Sequence, residues 1–213
     1  MKVSQSIAKK AGALVVVFAV LSLMVGVGNA QAATASDTIT VNLSVDPTIA
    51  ISSPADIIMG AITGFGKSTL ATNSATWTVV TNNSAGYNLS WQSSAADMSN
   101  GTDTIAAYTP ATAGTPEVWS VASADSEWGA RLSSTSTTTD VKWGTDNQSG
   151  IDYGTTSKWH NVGTSSYVLA SRSTETAGAG DSEVVNFGAE VGATHLQPTG
   201  TYTVNVTMTA TTL

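Results

Sequence analysis

The chain has 213 residues, no cysteine and a formal net charge of −7. The lack of cysteine excludes a disulfide scaffold and a thiolate metal site, and the acidic balance argues against nucleic acid or an anionic membrane surface as a partner. Charged residues make up 11% of the chain, against roughly 25% in ordinary globular domains, so Ser, Thr, Asn and Gly supply most of the polar surface.

Residues 1–32 have the pattern of a secretory signal peptide. Three lysines form a basic start, an apolar run follows at 13–27, and Ala-Gln-Ala at 30–32 fits a cleavage site between small residues. The apolar run is shorter than the roughly 20 residues that a membrane-spanning helix needs. We therefore expect cleavage before Ala33, export to the cell surface or the medium, and a mature chain with no transmembrane segment.

The first predicted strand of the mature chain lies at 38–45 and has one apolar face. Its apolar positions are Ile39, Val41, Leu43 and Val45, and Thr, Asn and Ser alternate with them. Strict alternation predicts a half-buried strand. Because this strand follows the cleavage site after a short arm, two pairings are open. It pairs within its own chain, or it adds to the open sheet edge of a neighbouring subunit.

Three further strands are predicted in the first half of the mature chain. A short apolar segment at 49–51 and a Ser-Ser-Pro turn precede the first of them, at 57–62. Residues 75–81 and 86–90 alternate bulky apolar and polar side chains. The intervening Asn-Asn-Ser-Ala predicts that these two strands form a hairpin, with a large aromatic share of the core.

Residues 93–165 are rich in Ser, Thr, Gly, Asp and Asn, and predict a loop-rich insertion with short strands near 117–121 and 127–132. Four tryptophans are scattered through it: Trp119, Trp128, Trp143 and Trp159. Two interpretations are open. The indole rings form an exposed platform that stacks against the sugars of a glycan, or they hold the loop layer onto the sheet, which we favour.

Regular alternation returns in three late strands, at 167–171, 183–190 and 200–210. No stretch after the leader sustains a helical period. The sequence therefore predicts one all-β domain over 33–213. We expect an antiparallel β-sandwich of Greek-key or jelly-roll type with long Ser/Thr/Gly-rich loops.

Signals for catalysis and for cofactors are weak. Residues 61–68 fit a relaxed phosphate loop, but no helix is predicted after them, so their glycines indicate a turn. His160 and His195 lack the spacing of a zinc site. The segment 146–152 carries oxygen ligands without the spacing of a calcium loop, which leaves calcium binding there open. We predict no enzyme, no cofactor and no metal.

Short motifs near both ends of the mature domain resemble the WxL family of bacterial surface proteins. The motif positions are Trp77, Val79, Tyr202, Val206 and Thr207. The closing strand is also similar to the last strand of pilin-like β-sandwich subunits. The resemblance implies a secreted structural or adhesive protein, either associated with the cell wall or built into a filament. Its partners would be a cell-wall or surface glycan, or copies of itself.

Overall fold

The computed structural model describes residues 34–72, 74–133, 135–145 and 156–213. It divides into two units, Met1–Ser44 and Val45–Leu213. In the first unit, residues 34–44 form no strand and are exposed. The predicted strand at 38–45 is therefore not formed in the single chain. Alternation creates an apolar face, but a strand also needs a second backbone edge to hydrogen-bond with.

The second unit is a β-domain, which confirms the predicted fold class. Its strands in chain order are β1 (Ile49–Ile51), β2 (Lys67–Leu70), β3 (Ala75–Thr81), β4 (Tyr87–Ser93), β5 (Met98–Ser99), β6 (Thr104–Ala107), β7 (Glu117–Val118), β8 (Ser126–Leu132), β9 (Lys158–Trp159), β10 (Tyr167–Arg172), β11 (Asp181–Val191) and β12 (Val206–Thr212). The described residues contain a single short helical segment, the 3-10 turn Val141–Trp143.

Two main sheets form a sandwich. The larger sheet has seven strands in the order β1-β3-β11-β8-β6-β5, with β2 also paired to β11, and the smaller sheet has the order β10-β4-β12. A separate two-stranded ribbon pairs β7 with β9. The pairings are antiparallel except for β6 with β8, where Ala106 lies opposite Glu127 in a parallel register.

The core lies between the two main sheets. Every second residue of β3 and of β4 is buried, as the alternation predicts. Trp77 and Val79 from the larger sheet share one apolar cluster with Tyr87, Leu89 and Trp91 from the smaller sheet. Full burial of such side chains contributes roughly 1.5–3 kcal/mol each, so these two strands supply a large part of the stability.

The predicted hairpin between β3 and β4 is wrong, because the two strands lie in different sheets. Both strands point their bulky side chains into one core, and two facing layers bury such faces more completely than a pair of neighbours does. Asn83 closes the connection by donating from Nδ2 to the carbonyl oxygens of Gly86 and Leu213, each at 2.9 Å. The turn ends at Gly86, whose φ is +82°.

The loop-rich zone also supplies part of the fold. The predicted strand at 127–132 is confirmed by β8, while the one at 117–121 is reduced to the short β7. β8 is part of the sandwich itself and not of a peripheral insertion. It lies inside the larger sheet between β11 and β6 and is almost entirely buried.

Two predicted strands are extended but unpaired along most of their length. Residues 57–62 form only an isolated bridge, Met59 with Ala71. The last strand was predicted from residue 200, yet β12 begins at Val206, and the stretch before it makes one bridge, Ser99 with Thr203. Their sequences favour strands, so these segments lack a partner rather than the propensity to pair.

Candidate functional site

The four tryptophans of the loop-rich zone are all buried. Trp119 is 8% exposed and Trp128, Trp143 and Trp159 are each 1% exposed. An enclosed indole has no free face for a sugar ring, so the interpretation as an exposed platform is wrong. The indoles instead hold the middle segments against the sheets, as the favoured alternative predicts.

The contacts of the indoles show how this anchoring works. Trp128 Nε1 donates to the Ala96 carbonyl at 3.0 Å, and Trp143 Nε1 donates to the Leu169 carbonyl at 3.0 Å. Each ring therefore buries its apolar body while its polar N–H group finds an acceptor. Trp119 stacks on Tyr108 with ring centroids 4.6 Å apart, in a second small cluster that also contains Trp159.

A buried polar cluster joins the two sheets. The Tyr87 hydroxyl lies 3.0 Å from Asp181 Oδ2 and 3.0 Å from Glu183 Oε1, and Thr138 Oγ1 donates to Glu183 Oε1 at 2.7 Å. Arg172 forms an ion pair with Asp181, with Nη1 3.0 Å from Oδ1. Burial raises the pKa of Glu183 and also that of Tyr87.

This cluster has the residue types of an acid–base pair but is closed to a substrate. Asp181 is 2% exposed and Glu183 is fully buried. Sequence reasoning did not select them, although the signal was present. Both carboxylates are in phase with Val185 and Phe187 on the inward face of β11. A charged residue at an inward position predicts a buried partner, and Tyr87 and Arg172 are those partners.

The histidines have structural contacts. His160 is 4% exposed and its ring stacks on Tyr167 at a centroid distance of 4.0 Å. Burial lowers the pKa of His160, which favours the neutral ring. His195 Nδ1 lies 2.8 Å from the Ala124 carbonyl oxygen. Among the described residues, no group of three or more His, Cys, Asp or Glu is placed to hold a metal.

The other predicted sites are placed as follows. The segment at 61–68 leads into β2 and not into a helix, so it lacks the helix N-terminus that a phosphate loop uses. The candidate calcium segment at 146–152 lies outside the described residues. Of the motif positions near the two ends, Trp77 and Val79 are buried in β3, whereas Tyr202, Val206 and Thr207 lie in or before β12. In the described part of the chain, no helix is long and apolar enough to span a bilayer.

The N-terminal segment presents a row of exposed apolar side chains. Ile39, Val41, Leu43 and Val45 are 80%, 84%, 88% and 75% exposed. Single exposed apolar residues are ordinary, but four in strict alternation have the pattern of one face of a strand.

The chain enters the β-domain at a fixed point beside Asn82. The Thr48 amide donates to Asn82 Oδ1 at 2.6 Å, and Asn82 Nδ2 donates to the Asp46 carbonyl at 3.2 Å. β1 then pairs with β3 so that Ile49 lies opposite Thr81. The residues before β1 are therefore held at the Thr81 end of β3.

An open groove lies in the β-domain where the larger sheet is not covered by the smaller one. It consists of two adjoining cavities of about 800 Å³ and about 520 Å³. Residues common to both linings are Ile57, Met59, Met98, Tyr202 and Thr203. Ala75 and Trp77 line the smaller cavity. The groove thus lies toward the Ala75 end of β3, and the lining of its larger cavity is mainly apolar.

A comparison of the chain with protein-family models and with curated proteins finds no match. The resemblance to WxL and pilin-like surface proteins therefore stays a prediction.

Proposed function

We propose that this protein is a secreted, non-enzymatic structural subunit of the cell surface, in a filament or associated with the wall. Copies of it assemble when the segment 39–45 of one subunit adds as a strand to the next. The observation that carries this proposal is the exposed, alternating row of Ile39, Val41, Leu43 and Val45.

The physical case rests on what this row gains from a partner. An added strand forms main-chain hydrogen bonds along its length and places alternate side chains in pockets. Burial of each Ile, Val or Leu contributes roughly 1.5–3 kcal/mol, against an association cost of about 4–15 kcal/mol or more. Four such side chains contribute roughly 6–12 kcal/mol, which is of the same size as the association cost, and the main-chain hydrogen bonds add to it. One or two such side chains would contribute only about 1.5–6 kcal/mol.

The buried tryptophans also support the structural role, because their burial argues against the alternative function. All four rings are enclosed in the domain, and the N–H groups of Trp128 and Trp143 donate to backbone carbonyls. The alternative of a glycan-binding module therefore loses the surface on which it depended. A glycan partner at the cell surface is then contacted by the assembled protein and not by these indoles.

The test is the assembly state of protein that begins at Ala33, by sedimentation and electron microscopy. The double variant Val41→Lys/Leu43→Lys places charge on the apolar face and is expected to remain monomeric. The matched control Thr40→Lys/Asn42→Lys carries the same charge on the polar face and is expected to assemble like the parent. A parent protein that stays a compact monomer at high concentration would rule the proposal out.

A further inference from the structure

Two extended segments, at 57–60 and 202–205, border the open groove. Each forms backbone hydrogen bonds along only one of its two edges. Ile58 and Gly60 bond to the fold, through Thr72 N to Ile58 O at 3.3 Å and Gly60 N to Leu70 O at 3.5 Å. Alternate residues of an extended chain direct their N–H and C=O groups to opposite edges. Ile57 and Met59 therefore present theirs to the other edge, where no described residue forms a backbone hydrogen bond with them.

A second segment of the lining, at 202–205, shows the same pattern. Thr203 exchanges two backbone hydrogen bonds with Ser99, at 3.0 and 3.1 Å, and Asn205 accepts one from Ser94 at 2.8 Å. Tyr202 and Val204 direct their backbone groups the other way, and the described residues offer them no backbone partner. β12, which continues this segment, is itself an edge strand of the smaller sheet.

Between these borders the floor of the groove is apolar. It is formed by the inner face of the larger sheet and includes Met98, Ile105, Phe187 and Ala189. Asp56 is the one carboxylate among the lining residues of either cavity. The segment 38–45 has no charged residue, so it matches the groove in polarity. The alternating row at 39–45 has seven residues and is about 23 Å long as a strand, which is close to the length of the six residues at 57–62.

The point at which the chain enters the β-domain and the groove lie at opposite ends of β3. The chain enters the domain beside Thr81, whereas the groove is lined by Ala75 and Trp77. Six residue steps along a strand separate these ends by about 20 Å. A contact between two different surfaces of identical subunits repeats without closing unless its rotation forms a ring.

We infer that the open groove is the acceptor for the 39–45 segment of a second copy, an inference that rests on the proposed function. The incoming strand lies between the segment around Ile57 and Met59 and the segment around Tyr202 and Val204. It bonds to both free edges, and its four apolar side chains cover the floor. In the single chain, the layer of the smaller sheet leaves part of the larger sheet uncovered. The added strand completes this layer.

Disulfide trapping tests where the segment docks, and the absence of native cysteine makes the result specific. Protein carrying Leu43→Cys is mixed with protein carrying Val204→Cys and oxidised. We expect a covalent dimer of the two. Val168→Cys is the control acceptor, since this exposed residue lies on β10, at the other edge of the smaller sheet. It is expected to give no more dimer than unpaired Leu43→Cys protein.

A groove variant separates this inference from the proposed function. Val204→Glu puts a charge beside the docked strand and should raise the concentration needed for assembly by about a hundredfold, with circular dichroism showing that the fold is kept. If Val204→Glu assembles normally and trapping fails, while Val41→Lys/Leu43→Lys still abolishes assembly, the segment is the connector but the groove is not its acceptor. If the segment variant also assembles normally, assembly through the 39–45 segment and the groove as its acceptor are both wrong.

Discussion

The phenol oxygen of Tyr87 in the smaller sheet lies 3.0 Å from Glu183 Oε1 in the larger sheet, so a hydrogen bond joins the two layers through the core. The same hydroxyl is 3.0 Å from Asp181. Because a hydroxyl has one proton to donate, it cannot donate to two carboxylates at once. A proton on Glu183 relieves this conflict, in agreement with the raised pKa that burial gives this residue.

Stability is therefore expected to depend on pH through Glu183. Its pKa is raised in the folded protein above the ordinary value of 4.5. The unfolded state releases this proton at lower pH than the folded state does, so the contribution of Glu183 is fully present below the ordinary value. It is lost as pH rises toward the folded pKa, at no more than about 1.4 kcal/mol for each pH unit.

Urea unfolding between pH 4 and pH 8 measures this dependence. Glu183→Gln keeps the size of the side chain but cannot ionise, so the loss of stability with rising pH should be smaller than in the parent. Glu175→Gln, at an exposed carboxylate, is the control and should follow the parent curve. Parallel curves for the parent and Glu183→Gln would contradict the assignment.

The turn between β3 and β4 should be intolerant of any side chain at Gly86. An added Cβ would overlap the carbonyl oxygen of Arg172, and φ is +82°. Gly86→Ala is expected to lower the free energy of unfolding by about 3–5 kcal/mol. Gly114→Ala is the matched control, because its φ is +77° but nothing lies within 4 Å of the new methyl group. Its cost should be only about 1–2 kcal/mol.

Removal of a buried indole should lower the free energy of unfolding and should leave any glycan binding at the surface unchanged. Trp128→Ala creates a cavity and leaves the Ala96 carbonyl without its donor, so we expect a loss of about 3–5 kcal/mol in denaturant unfolding. Trp128→Phe keeps much of the volume and should lose less. A glycan array with the folded Trp128→Phe protein gives the second readout: glycan binding that disappears in this variant would contradict the structural role.

Asn82 should hold the residues that lead into β1 in a fixed position. Asn82→Ala removes the acceptor of the Thr48 amide, so hydrogen exchange at Thr48 should accelerate, while global stability falls by only about 1 kcal/mol. Asn88→Ala is the control, since its side chain contacts Ser171 on β10. Unchanged exchange at Thr48 in Asn82→Ala would show that Asn82 does not hold this entry point.

Local alternation predicted the strands with buried inward faces. Residues 75–81 match β3, and the strands predicted at 86–90, 127–132 and 183–190 correspond to β4, β8 and β11. The alternation at 38–45 predicted a strand in the same way, but the single chain forms none there. The successes share one cause, because a period of two reports how a single strand divides its own side chains between two environments.

Tertiary structure decided which strand lies beside which. It placed β3 and β4 in opposite layers, buried Trp119 and Trp128, and left residues 57–62 unpaired beside the groove. No local pattern contains this information, since pairing depends on contacts between residues far apart in the chain. The sequence by itself therefore determined the all-β character and the apolar N-terminal row, while the groove that we propose as its acceptor follows only from the way two sheets of unequal width pack together.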